Sequence, residues 1–156
     1  MAPPEDRAPL PRPTPPDGNL IYLVKQVELG LRRHFEAIVA RHGMTPAGYT
    51  ALTVLQSRPG TTSSELARRS FVRAQTMAET VTALTDAGLV RREADPAHRR
   101  QLRLFITDAG DAAVAQVRPD MRALEERLVL HLTAAQRSAL AGALRSMRDQ
   151  IQAIGG

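Results

Sequence analysis

The sequence predicts a mainly α fold of the α+β kind, in which a small helical unit carries one β-hairpin between long helices at either end. Three observations predict it. Apolar residues recur at spacings of three and four over six segments. One stretch, VRREADPAHRRQLRLFITDAG (Val90 to Gly110), instead opens and closes with apolar residues around a polar turn, as paired strands do. The chain of 156 residues is long enough to bury one core and short for two.

The elements follow in order. Residues 1–18 read as a Pro-rich tail, with seven prolines in MAPPEDRAPLPRPTPPD and no apolar period, so extended or disordered chain is expected. From Asn19 the pattern turns helical. Leu20, Leu23, Val24, Val27, Leu31, Phe35, Ile38 and Val39 form one stripe to about His42, and Gly43 ends it. TPAGYTALTVLQ follows with Thr45 as N-cap and Pro46 at the first helical position. Arg58-Pro59-Gly60 breaks the chain. SSELARRS (Ser63 to Ser70) and RAQTMAETVTALTDAG (Arg73 to Gly88) then read as two short helices joined by a tight turn. Thr62 and Glu65 have the spacing of a capping box. After the strand pair of Val90 to Thr107, a helix is expected from Asp108 to about His131, distorted near Pro119, and a last one from Ala134 to about Ala153 behind Thr133. The stripes Leu124, Leu128, Leu132 and Leu140, Leu144, Met147, Ile151 exceed what one small core can cover. A second copy of the chain is the simplest cover, so a homodimer is expected.

Composition narrows the function. There is no cysteine, which excludes disulfides, thiolate metal sites and cysteine redox sensing. No run of about 18 apolar residues is available for a membrane span, and no apolar stretch follows the N-terminal charges as in a secretory signal. A cytoplasmic protein is expected. The net charge is +5, and Lys25 is the only lysine among the 21 cationic residues. Such a balance fits a polyanionic partner, and equally an Arg-rich composition with no partner behind it. Catalysis has little to stand on, since no Ser-His-Asp spacing or glycine phosphate loop occurs and no cofactor is implied.

Position breaks the tie. On a wheel, the helix after Arg73 turns Met77, Val81 and Leu84 inward and Gln75, Glu79 and Thr82 outward, with Thr76 beside them. This outer face is short-chained and polar, and Arg68, Arg69 and Arg73 flank its first turn. A helix entering a major groove needs Gln, Thr and Arg near its N-terminus, where base edges and phosphates lie. A helix that only meets water usually carries longer Lys and Glu mixtures.

From roughly Thr45 to Gly110 the chain resembles the MarR family of bacterial winged helix-turn-helix regulators. The residues that carry the resemblance are SSELARRSFVRAQTMAETVTALTDAGLVRREADPAHRRQLRLFITDAG, with ELA in the first helix, QTM opening the second, AGLV closing it, and DP..RR...L.IT..G through the hairpin. The flanking helices fit the family's dimerisation region, so the likeness covers about residues 19–154. It implies a DNA-binding unit over 45–107, dimerisation helices over 19–44 and 108–154, and a transcriptional regulator, most simply a repressor located with the nucleoid. Val90 to Thr107 becomes the wing, whose tip reaches a minor groove. The resemblance and the charge pattern together assign double-stranded DNA contacts to Ser63, Arg68, Arg69, Arg73, Ala74, Gln75, Thr76, Glu79, Thr82, His98, Arg99 and Arg100. Asp95 is expected to stiffen the tip by accepting from Arg99 or Arg100, and Glu79 either to accept from a cytosine amine or to hold Arg69 or Arg73.

Two departures from the family stand out. His98 occupies the place of a second wing acid, which leaves the tip more positive. Arg73 stands where a Ser or Thr cap is usual, which costs up to about 1 kcal/mol of capping and frees Arg73 for phosphate. The family also binds small phenolic or amphipathic effectors between the dimer helices and the DNA-binding unit. His34, Ile38, His42, Tyr49 and Leu52 are the candidate lining residues, each of a type equally at home in an ordinary core or surface. A metal-responsive member would need clustered ligands, but His34 and His42 lie two turns apart and His131 is on another element. A winged helix that binds protein or RNA is the remaining alternative, because the fold alone does not fix the partner.

Overall fold

The computed structural model describes residues 19–98 and 100–154. The expected tail, residues 1–18, and Arg99 lie outside them. The described elements are α1 (Leu20–Arg41), α2 (Pro46–Ser57), α3 (Ser63–Arg69), α4 (Ala74–Asp86), β1 (Val90–Ala94), β2 (Leu102–Ile106), α5 (Asp108–Leu128) and α6 (Ala134–Ile154). This is the mainly helical, winged arrangement that the periodicities predict. α5 stops at Leu128, three residues before the expected end, and runs through Pro119 without ending there.

Side-chain caps fix most of the helix starts. Asn19 accepts from the amide of Tyr22 at 2.9 Å and Thr45 from Gly48 at 3.0 Å. Thr133 and Gln136 cap each other reciprocally, the amide of Gln136 donating to Thr133 Oγ1 at 3.2 Å and that of Thr133 to Gln136 Oε1 at 2.8 Å. The box expected at Thr62 is half made. Thr62 Oγ1 accepts from the Glu65 amide at 3.3 Å, but the Glu65 carboxylate turns away to Arg69 at 2.7 Å. A guanidinium one turn along offers two charge-assisted donors, against one neutral amide behind. α4 has no side-chain cap at all, with Arg73 at the cap position.

β1 and β2 pair antiparallel, from Val90 opposite Ile106 to Ala94 opposite Leu102. The chain before α3 joins their edge, Thr61 bridging Leu104, whose amide donates to the Thr61 carbonyl at 3.0 Å. The larger core gathers α2 to β2 around Leu52, Leu55, Leu66, Met77, Val81, Leu84, Val90 and Leu104, with Val114 of α5 closing it. A smaller cluster of Ile38, Val39 and Val117 ties α1 to α5. Met44 and Tyr49 pack against both.

Gly110 and Thr107 bind the wing to α5. Thr107 caps α5 by accepting from the Gly110 amide at 3.1 Å, while its hydroxyl donates to the Gly88 carbonyl at 2.7 Å and its amide to Leu89 at 3.0 Å. A Cβ on Gly110 would stand 2.3 Å from the Leu89 carbonyl oxygen and 2.6 Å from an Ile106 carbon, so only glycine lets α5 approach this closely.

Candidate nucleic-acid interface

α4 faces as its wheel requires. Met77, Val81 and Leu84 are buried, and Ala74, Gln75, Thr76, Glu79 and Thr82 are exposed. Gln75 Nε2 donates to Glu79 Oε1 at 2.9 Å, so Glu79 is held by its own helix and not by Arg69 or Arg73. The reason is reach: Gln75 sits one turn before Glu79, whereas Arg69 is already bound by Glu65 at 2.9 and 2.7 Å. That pair holds the Glu65 carboxyl below its usual range, the Arg69 hydrogen bonds being the largest cause. Arg69 therefore brings a largely compensated charge to the surface. Arg68 is different, with a side chain 74% exposed and a Glu65 oxygen no nearer than 3.9 Å. Ser63 is half-buried at the start of α3, and Arg73 is exposed at the uncapped start of α4.

The wing tip is organised by Asp95, which is buried at 2% exposure. Its Oδ1 accepts from the Ala97 amide at 2.9 Å, and its backbone closes the turn through Gln101 and His98 at 2.9 and 3.2 Å. Among the described residues its charged partner is Arg103, 2.8 Å from Oδ2, and not Arg100, one of the two the sequence suggests. The register explains the difference. Arg103 opposes Glu93, and Asp95 follows opposite Gln101, so Asp95 and Arg103 are diagonal neighbours on one face of the hairpin. The Ala97 amide first, and Arg103 second, hold the Asp95 carboxyl below the usual aspartate range. Arg100 and His98 remain exposed at the tip; Arg99 lies outside the described residues.

Several contacts have no counterpart in the sequence reading. Arg92 on β1 donates to Thr82 of α4 at 3.1 Å, joining wing to helix. The signal was present in the strand period, which puts Arg92 on the face of buried Val90 that packs against α4. Arg91 pairs with Glu93 and lies over the Phe105 ring at 4.6 Å. Phe71, in the turn before α4, has left-handed backbone at φ 53° and a ring 64% exposed.

The five candidate effector residues do not share one surface. Leu52 is fully buried in the larger core, which removes it from any groove, because α2 turns it toward the packed interior. His34 and Ile38 border a cleft of about 370 Å³ with Arg41, Asp120, Leu124 and Arg127. His42 Nε2 lies 2.9 Å from Asp120 Oδ2, and Arg41 meets the same oxygen at 3.3 Å. His42 is the main cause of the lowered Asp120 carboxyl. Tyr49 stands edge-on to Phe35 with ring centres 5.8 Å apart. Among the described residues, no three metal-ligating side chains come together.

A larger groove, of about 580 Å³, lies between α1, α5 and the start of α2. Leu31, Phe35, Met121, Leu124 and Leu128 form its wall, with Glu28, Arg32, Glu36 and Glu125 at its charged edge. Of these, Leu31, Phe35, Leu124 and Leu128 were legible only as members of helical stripes, which announce that a face is apolar but not whether it is filled.

Among the described residues no helix is long and apolar enough to cross a membrane. The family model described as the MarR family matches residues 42–101. HTH-type transcriptional repressor Rv2887 of Mycobacterium tuberculosis is 34% identical over 120 residues, spanning 77% of this chain and 86% of that one. The solved structure of the M. tuberculosis MarR family protein Rv2887 in complex with p-aminosalicylic acid superposes with a TM-score of 0.70 at 31% identity, covering 83% of this chain and 98% of that one. The transcriptional repressor CouR, bound to a 23-mer DNA duplex, superposes at 0.73 with 29% identity, covering 83% of this chain and 92% of that one. With its wing, its outward polar helix and a related repressor matching over three-quarters of its length, the chain belongs to the MarR family.

Proposed function

We propose that the chain is a transcriptional repressor that binds a pseudo-palindromic operator as a homodimer, with residues 45–107 as the DNA-binding unit and 19–44 and 108–154 as the dimerisation helices. The carrying observation is the exposed Gln75, Thr76, Glu79 and Thr82 face of α4, opened by the uncapped Arg73 and joined to the wing by Arg92. Uncapped amides and a guanidinium suit a phosphate, and short polar side chains behind them suit base edges. Ser63, Arg68 and Ala74 would complete the major-groove contacts, with Arg69 contributing least because Glu65 neutralises it. His98, Arg99 and Arg100 at the wing tip would meet the neighbouring minor groove through charge and groove width. Repression follows from occupying the site polymerase needs, which places the protein in the cytoplasm with the nucleoid.

The groove between α1 and α5 is the proposed effector site. It offers an apolar slot with the Arg32–Glu28 pair at its mouth, and the related Rv2887 is known in complex with p-aminosalicylic acid. The ligand would favour a dimer whose recognition helices are wrongly spaced. Selection of bound duplexes from a random pool tests the DNA reading. Enriched half-sites should be centred one helical turn apart, about 34–36 Å. A pool that shows no enrichment would overturn the reading.

A further inference from the structure

The turn between α3 and α4 carries two unmet costs side by side. Among the described residues, Phe71 is the one non-glycine residue with left-handed backbone, and its ring projects from the fold at 64% exposure. Next to it, the Ser70 hydroxyl is cut off from solvent with no hydrogen-bond partner in the protein. The turn itself needs the left-handed step. Val72 returns its amide to Ala67 at 3.2 Å and packs against the core, and Phe71 returns its own to Arg68 at 3.4 Å. It does not need phenylalanine, since Gly or Asn takes that backbone with less crowding at Cβ. An exposed ring repays none of this through the core. Strain and an unsatisfied group of this kind concentrate where a surface is shaped for contact.

The ring's neighbours indicate the contact. Phe71 lies three residues after Arg68 and two before Arg73, both exposed cations, at the mouth of the polar face of α4. We infer that Phe71 is a DNA-affinity residue whose ring lies on a deoxyribose between phosphates held by Arg68 and Arg73. The inference rests on the DNA-binding reading above. Deoxyribose presents apolar C–H surface between successive phosphates, so a ring there removes water from both without reading a base. No charge is exchanged, so no counterion is released.

Phe71→Asn removes the ring and keeps a residue suited to left-handed backbone. The expected result is a thermal midpoint equal to or above the parent's. Affinity should fall about tenfold, and by the same factor for a duplex selected from the random pool and a scrambled duplex of equal length. The slope of log K against log salt should match the parent's. Phe71→Leu should fall between the two in affinity. A lowered midpoint for the Asn variant would show that the ring packs on the fold and overturn the inference. So would unchanged affinity, a loss confined to the selected duplex, or a shallower salt slope. Full DNA affinity with lost repression in a purified transcription reaction would assign the ring to a protein partner, which also overturns it. A parent that selects no duplex sinks the DNA-binding reading itself, whereas a parent that binds beside an equally tight Asn variant sinks this inference alone.

Discussion

Asp95 organises the wing tip through the Ala97 amide, its own backbone and Arg103. Its carboxylate is held down first by the Ala97 amide and then by Arg103, so its folded pKa lies below the ordinary value of an unfolded aspartate, about 3.9. The sign follows: the stabilisation is complete above that ordinary value and is lost as pH falls through the lower, folded one. Hydrogen exchange should therefore show the His98 and Gln101 amides protected at neutral pH and released in acid below about pH 4. Asp95→Asn should remove most of that pH dependence; an unaltered acid release would show that another group closes the tip. Gly110→Ala should be among the costliest single substitutions, at about 3 kcal/mol by denaturant titration, because its Cβ would meet backbone that cannot give way. A normal midpoint would mean that α5 can slide from Leu89. The sequence marked Asp95 as a residue of the wing tip, but not its partner Arg103. Choosing between Arg99, Arg100 and Arg103 requires the strand register, which composition and spacing leave open until the turn length is known.

The helices were legible because each stripe repeats over several turns and most starts carry their own cap, as Thr45, Thr107 and Thr133 do. Where expectation and structure part, a local competitor explains it. Arg69 takes the Glu65 carboxylate from the capping box, and α5 ends at Leu128, with Val129 at its C-cap returning its amide to Glu125. The open groove beside Phe35 was not legible, since a stripe of identical apolar residues results whether its neighbour fills the space or stops short. α6 has no buried residue, and Leu128, Leu140, Leu144 and Ile151 are 53, 44, 49 and 56% exposed. So much apolar surface on long helices calls for a second subunit. Light scattering at low micromolar concentration should give about twice the 17.0 kDa of one chain. Leu128→Asp combined with Leu144→Asp should return it to one, since each would bury an unpaired charge. A parent already at the single-chain mass defeats the dimer.

The dimer's hold on DNA divides into contacts that read sequence and contacts that only attract. Gln75→Ala should cost about 1–3 kcal/mol on a selected duplex and less on scrambled DNA. Equal losses on both would move Gln75 to the phosphates. Arg100→Ala should weaken both alike and lower the slope of log K against log salt by about one unit. An unchanged slope would leave the wing tip a bystander and the attraction to Arg68 and Arg73. Both residues are exposed, the first as the helical period predicts and the second in the polar turn; their effect on a duplex depends on how the two subunits are spaced. There the clip at Thr107 has a mechanical consequence. One hydroxyl and one amide fasten the first turn of α5 to the loop where α4 ends and β1 begins. α5 is therefore a crank with the proposed DNA-binding unit bolted to one end and the α1 groove beside the other. Leu124 stands sixteen residues from Asp108, about 24 Å along the axis at 1.5 Å per residue. A tilt of about 5° at the groove would swing the head by about 2 Å, and the same tilt in the second subunit would double the error in spacing. A small guest wedged under Phe35 need never approach the operator to make both heads miss their grooves.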